Sequence, residues 1–346
     1  MTALTTPRVP PWEPFFFRPQ STAPMTLVRI GWGATAMAWA ISLFPDIDPF
    51  FVKDDLLYER TLSPGAWNVL PHVPGDHAGL IVCLVLLAAS LATMVGWHTR
   101  ASSVVAVLMM VLLQRANTVI FNSGDLVLRH IGVCVALAPC GLLCSLDARR
   151  DRRKGRARNL FRAPYAMRFL QLSLALGYFL SAWTKARGNT WNDGTAIARS
   201  LRIEDLQRYV APEWLFDQTV LLNLFTWATL LFEATFGILV WNRRLRPWVI
   251  GTGIAFHLGI DLFLDIGFFS VAIFLAYVAF VPDEAANRIV GRFDKRAREE
   301  PPAEVDRLAQ SEEPELVGPA GGVGGRGSAG APHPGGDPAP PVADQR

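Results

Sequence analysis

The hydrophobic positions of this chain gather into long runs, each near twenty residues, separated by short stretches dense in arginine, aspartate, glycine and proline. About twenty apolar residues is the length a helix needs to cross a bilayer core. Eight runs are predicted as spans: 23–44, 78–96, 100–121, 126–144, 165–185, 218–240, 247–266 and 267–282. The last is short and suits a tilted or partly re-entrant segment, so the count is about eight, within seven to nine. The expected fold is all-α, a polytopic transmembrane helical bundle.

The polar pattern divides the chain further. Residues 1–22 form an N-terminal cytoplasmic or interfacial segment, with Trp12, Phe15, Phe16 and Phe17 suited to the membrane surface. The transmembrane domain takes 23–285. Residues 286–346 are a tail, first basic and then rich in Gly, Pro and Ala. From about Glu299 the tail has too little apolar surface to offset the entropy of ordering, and disorder is expected there. A cleaved signal peptide is not the preferred reading of the first run, which is too long, begins too late and contains Arg29.

Composition adds that 51% of the 346 residues are hydrophobic, high for a soluble domain. Cys83, Cys134, Cys140 and Cys144 all lie inside apolar runs without metal-ligand spacing, so they read as small apolar helix residues. No metal is predicted. The chain carries no phosphate-binding loop and no dinucleotide fingerprint, and no nucleic-acid partner is expected. The first partner is the lipid bilayer.

Net charge is only +3, but its placement is informative. Arg149, Arg150, Arg152, Arg153, Lys154, Arg156, Arg158 and Arg162 follow the fourth run. Arg100 follows the second, Arg243, Arg244 and Arg246 the sixth, and Arg288, Arg292, Lys295, Arg296 and Arg298 the last. With an even number of spans all these fall on one side. The 45–77 loop, with Asp46, Asp48, Asp54, Asp55, Glu59 and Asp76, falls on the other. The positive-inside rule then places both termini in the cytoplasm of a multi-pass cell-membrane protein.

Ionisable residues at membrane depth are costly and mark sites. Arg29 near the start of the first span either snorkels or holds a structural partner. Arg115, the turn Asn122-Ser123-Gly124-Asp125 and Arg129 sit at the outer end of the third and fourth spans. Glu233 lies in the middle of the sixth, where pairing with Arg115 or Arg168 is expected. His257, Asp261 and Asp265 recur every four residues and share one helix face. Together with Trp191 and Asp193 these groups suggest one polar chamber opening outward. Its lid, 186–217, carries Trp191, Arg199, Arg202, Arg208 and Trp214.

Lys185 stands apart. Of thirty-three basic residues only four are lysines, and Lys185 ends an apolar run, Tyr178-Phe-Leu-Ser-Ala-Trp-Thr-Lys185. Lysine can give up its proton near neutral pH in apolar surroundings and arginine cannot.

That run, with Trp191-x-x-Gly194 after it, resembles the lysine-bearing helix end of the vitamin K-dependent γ-glutamyl carboxylase family and its bacterial relatives, the HTTM (horizontally transferred transmembrane) domain proteins. Arg115-Ala-Asn-Thr-Val-Ile-Phe-Asn-Ser-Gly-Asp125, then Leu-Val-Leu-Arg129, resembles that domain's third-to-fourth span signature. The His257 helix followed by Ile266-Gly-Phe-Phe269 resembles its late helix pair. The resemblance covers about residues 20–285.

The resemblance implies chemistry on a reduced naphthoquinone of the menaquinol or vitamin K type. In the carboxylase the matching lysine is the base. Reaction of the deprotonated quinol with oxygen creates a base able to remove a γ-proton from glutamate, and carbon dioxide adds to the carbanion. On this reading Lys185 and His257 are the catalytic candidates. Arg115, Asn122, Asp125, Arg129, Trp191, Asp193, Glu233 and Asp261 line the substrate chamber. The partners are a lipid quinone and a peptide or small-molecule substrate. Two differences stand out. Ser123 occupies the place of a carboxylase histidine, and a tail follows the spans where the carboxylase has a large lumenal domain.

Two alternatives stand beside the enzyme. One is a non-enzymatic membrane partner in peptide toxin maturation or export, since the sporulation-delaying protein B branch is also similar. The other is a small-molecule transporter with Lys185 as a structural ion-pair partner.

Overall fold

Eight long helices form where the apolar runs fall, and their edges are set by local chemistry more than by hydropathy. The computed structural model describes residues 10, 12–51, 69–72, 77–117 and 120–299. The helices are α1 (Ala23–Ser42), α2 (Ala78–Val95), α3 (Thr99–Ala116), α4 (Ser123–Leu137), α5 (Tyr165–Lys185), α6 (Thr219–Leu239), α7 (Arg246–Phe263) and α8 (Phe269–Tyr277). Among the described residues the only regular strands are Gln20–Ser21 and Phe161–Arg162, paired antiparallel. The all-α architecture is as expected.

Length and composition qualify fewer helices as independent spans. Four of them, α1 to α3 and α6, are long and apolar enough to cross a membrane. A fifth is possible if α8, with the turn after it, and the helix Asp283–Val290 count as one broken span, bent by 108°. The fourth run shows why. Asn122 caps α4 three residues before the expected start, and the residue before Pro139 turns extended, which ends the helix at fifteen residues. At about 1.5 Å per residue such a helix falls short of a 30 Å core. The third run stops at Ala116, well before residue 121, because Asn117 adopts an extended backbone. In the seventh, Leu264 turns extended after Phe263, so Asp265 is off the helix and the expected three-residue polar stripe is broken.

Successive helices run in opposite directions. Contacts at their ends sort the described connections to one pole or the other. At the arginine-rich pole the Asp147 carboxylate accepts from the backbone amides of His98 and Thr99. Asp294 accepts from the Cys144 amide and pairs with Arg152 and Arg296. There the Ser21 hydroxyl donates to Asn287 at 2.6 Å, which joins the two ends of the described chain. The opposite pole holds the Asn122 turn, residues 186–217 and Asp265.

α1 is the centre of the bundle, packed against α2, α4, α8 and the helix Asp283–Val290. Its buried side repeats at helical spacing through Met25, Val28, Trp32, Ala36 and Trp39. Arg29 is fully buried and does not snorkel: it donates to the Cys144 carbonyl at 2.7 Å. Gly96 ends α2 in the left-handed region, φ 72°, pressed against Arg29 and Ser145, where a side chain would collide.

The basic segment after α8 is folded as far as the described residues run. Asp283–Val290 is helical and Lys295–Arg298 forms a 3-10 turn. Ala286, Val290 and Ala297 bury against Leu142, Leu143 and Leu160. Asp294 organises the surrounding arginines, so basic composition here reflects a folded collar. The expectation for 300–346, and that for much of the 45–77 loop, lies outside the described residues.

Candidate functional site

The site forms where α5, α6 and α7 meet near the pole opposite the arginines. Tyr178, Ser181 and Lys185 share one face of α5 at i, i+3 and i+7 spacing. Thr226, Thr229 and Glu233 repeat on the buried face of α6. On α7 only Val249, Gly253 and His257 are buried, again at four-residue spacing. The three faces converge.

Lys185 Nζ donates to Glu233 Oε1, making an ion pair between α5 and α6. The lysine side chain is 25% exposed and that of the glutamate 5%. Nζ also lies over the Trp191 ring, 4.8 Å from its centroid. Glu233 therefore pairs with Lys185 and not with Arg115 or Arg168. Arg168 instead donates to the Phe15 carbonyl and to Gln171.

Two helical turns below Lys185, Tyr178 bridges the helices. Its hydroxyl meets His257 Nε2 at 2.8 Å and also touches the Tyr277 hydroxyl. Gly253 leaves room for that contact, since a Cβ there would strike Tyr277. On α6 and α7, three buried polar atoms find no hydrogen-bond partner among the described residues: Glu233 Oε2, His257 Nδ1 and Asp261 Oδ1. Buried groups of this kind are uncommon and call for a reason.

Two cavities adjoin the pair. The first, about 470 Å³, has Lys185, Glu233, His257, Tyr178, His130 and Ser123 in its wall, with leucine, isoleucine and phenylalanine between them. The second, about 480 Å³, is almost wholly apolar, lined by Phe225, Phe263, Leu201 and Leu222, with Trp191 and Lys185 at its edge. Lys185, Phe256 and Ile260 belong to both.

The remaining sequence candidates divide. Asn122 and Asp125 serve α4 as a reciprocal cap: Asn122 accepts from Gly124 at 2.7 Å and Asp125 accepts from the Asn122 amide at 2.7 Å. Asp125 also accepts from the Trp39 indole. Arg129 donates to Gln114 at 2.9 Å, and Arg115 lies near enough to Arg129 for their charges to repel. Asp193 is exposed and accepts from Thr195. None of these five lines either cavity, and neither does Asp261, which lies near Arg208. The lid is three short helices, Asn189–Asn192, Ala196–Ser200 and Glu213–Phe216, fastened to the pole by Arg208–Asp265 at 2.9 Å.

Sequence reasoning missed His130 and Tyr178 as wall residues, and Tyr277 as the partner behind Tyr178. The spacing from Tyr178 to Lys185 carried a usable signal for one of them.

A family model described as HTTM domain matches residues 17–284, and the chain belongs to that family. It is a membrane domain family related to vitamin K-dependent carboxylase. No curated protein and no solved structure matches the chain.

Proposed function

With HTTM membership as the premise, we propose that the chain is a membrane enzyme acting on a lipid-soluble reduced naphthoquinone, with Lys185 as the base and Glu233 as its proton partner. The arginine-rich pole faces the cytoplasm on this reading, by the positive-inside rule. The observation that carries the proposal is the position of Lys185 Nζ, on the border of two apolar cavities and against a buried carboxylate.

The lining suits such a ligand. Binding pockets for small molecules are mostly apolar with a few convergent polar groups. The first cavity offers Lys185, Glu233 and His257 to a two-ring headgroup, and the second offers its apolar wall to a prenyl chain. A bound quinol would supply an ionisable hydroxyl and the electrons for reaction with oxygen.

Lys185 must be a neutral amine to take a proton. Passing the ammonium proton to Glu233 leaves an amine and a carboxylic acid, which removes two charges from an apolar site at once. Glu233 Oε2, without a partner, is open to that proton. Arginine keeps its charge and cannot make the exchange. The chain of Tyr277, Tyr178 and His257 fixes the imidazole so that Nδ1 is left for a ligand or water.

A second reading, a transporter with the pair as an interhelical fastener, is favoured by the ion pair itself. Lys185→Arg separates the two because it keeps the charge. For the enzyme, oxygen-dependent oxidation of menaquinol by the protein in nanodiscs falls by about 100-fold or more while quinol binding persists. Full activity in this variant, or no menaquinol binding by the unaltered protein, overturns the proposal.

A further inference from the structure

The arginine-rich pole holds a separate cavity of about 440 Å³, at the other end of the bundle from Lys185. His98, Arg100, Arg150 and Arg158 line it together with Asp147 and Asp151. Its floor is apolar, including Ala138 and Leu142.

The two carboxylates are already engaged. Asp147 accepts from the His98 amide at 3.0 Å and from the Thr99 amide at 2.7 Å, and from the Thr99 hydroxyl at 2.8 Å. It therefore neutralises the start of α3, and that helix end is not the attraction. Asp151 is held by Arg158 at 2.9 Å. Arg150 reaches Asp147 at 3.6 Å and His98 Nε2 at 3.2 Å. Arg100 is exposed and has no ion pair among the described residues. Three guanidinium groups and an imidazole thus surround a concave space whose acids are spent on backbone amides, Arg150 and Arg158, which leaves Arg100 without an acid.

His98 adds an independent sign. It sits in the left-handed region, φ 46° and ψ 49°, which is uncommon outside glycine and clusters at functional sites. Its strained backbone turns the imidazole toward Arg150. Beside it Trp97 is exposed, its ring 5.1 Å from the His98 ring, as expected of a residue at the level of lipid headgroups. Along α3 the exposed apolar side chains Val104 and Leu108 follow Arg100 at four-residue spacing and so continue its face of the helix.

We propose that this cavity binds the phosphate of an anionic phospholipid, with Arg100 and Arg150 as its principal contacts and the acyl chains lying along α3. Basic pockets between transmembrane helices recognise such headgroups, and guanidinium groups bind phosphate through paired N–H donors. The site is independent of the chemistry at Lys185.

The test uses the full chain in phosphatidylcholine nanodiscs. Replacing about a tenth of the lipid with phosphatidylglycerol raises the thermal midpoint by several degrees, since a ligand bound only by the folded state stabilises it. The double variant Arg100→Gln with Arg150→Gln loses most of that rise, while Arg243→Gln with Arg244→Gln, which removes the same charge elsewhere on the pole, keeps it. Arg100→Gln breaks no ion pair and serves alone if the double variant does not fold. It then loses at least half of the rise. Equal midpoints in the two lipids overturn the proposal, and so does a full rise in the Arg100 variants or an equal loss in the control. Millimolar inorganic phosphate is the remaining arm. An equal rise in lipid-neutral discs assigns the cavity to soluble phosphate and overturns the lipid.

Discussion

The bundle has two halves built to different densities. In the first, α1 to α4 with α8, helices close on one another. Trp32 is fully buried and donates to the Leu128 carbonyl at 2.8 Å, and Gly33 lets α1 approach the backbone of α2 at Met94. In the second, α5 and α6 pack through Tyr178 and Phe236, but α7 meets them at few points, and large apolar side chains turn outward. Val220 is 74% exposed, Ile238 75% and Trp248 78%. Lipid suits those faces. The second cavity beside Lys185 lies within the second half, and the first lies between the halves, with α4 and α8 as its far wall. Close packing fixes the scaffold, and looser packing leaves the room a ligand needs.

The sharpest way to break this comparison is a deletion in each half. Trp32→Ala should cost about 3–5 kcal/mol, because its neighbours cannot collapse onto the space. Phe256→Ala, which enlarges a cavity already present, should cost about 1 kcal/mol or less. Chemical unfolding of both in one detergent checks the pair, and equal losses would end the distinction.

Next in size is the Lys185–Glu233 pair. A fully buried pair stripped of one partner loses about 3–5 kcal/mol, but Lys185 is a quarter exposed, so Lys185→Met should cost about 2 kcal/mol. Adding Glu233→Leu should restore most of it, because the stranded carboxylate is gone. A double variant no better than the single one would show that the two groups do not act together.

Acid offers a smaller probe of the dense half. Burial pushes the Asp147 carboxyl up, but the amides of Thr99 and His98 and the Thr99 hydroxyl outweigh it and hold it below the usual carboxylate value. A carboxyl lowered by folding contributes stability that is full above its unfolded value, near 4, and lost as pH falls through the folded one. Asp147→Asn should therefore remove about 1 kcal/mol near neutrality and flatten the acid limb of the stability curve below about pH 4. Thermal midpoints across pH 3 to 7 read both effects. The smallest change is expected at the lid. Arg208→Gln cuts an exposed pair with Asp265 and should shift stability by under about 0.5 kcal/mol.

Much of the fold was legible in the sequence because apolar length is a direct physical requirement of a bilayer. Helix ends were less so. Asn122 and Asp125 look like chamber residues when read as polar groups beside a span, yet their spacing is that of a cap, and capping uses both side chains. Glu233 was assigned to the wrong cation for a geometric reason. Counted along the sequence it is mid-span while Lys185 is at a helix end. However, α6 overshoots α5: Gly194 packs on Asn223, and Trp227 donates to the Asn192 carbonyl. Lysine at a helix C-terminus also points back toward the N-terminus, into the bundle. Together these bring a helix end level with a helix middle. His130, in the wall, and Tyr277, behind Tyr178, gave no local signal, since their places depend on which helices become neighbours.

The central position of α1 carries a consequence for biosynthesis. α1, made before the other seven of these helices, is covered on one side by α8 and by Asp283–Val290, nearly the last described elements to be made. Arg29 finds its carbonyl partner only after Cys144 has been added. A nascent chain therefore holds a half-clad helix with a charge in it for most of translation. Completion of the collar, when Asn287 reaches Ser21, is the moment at which the bundle closes.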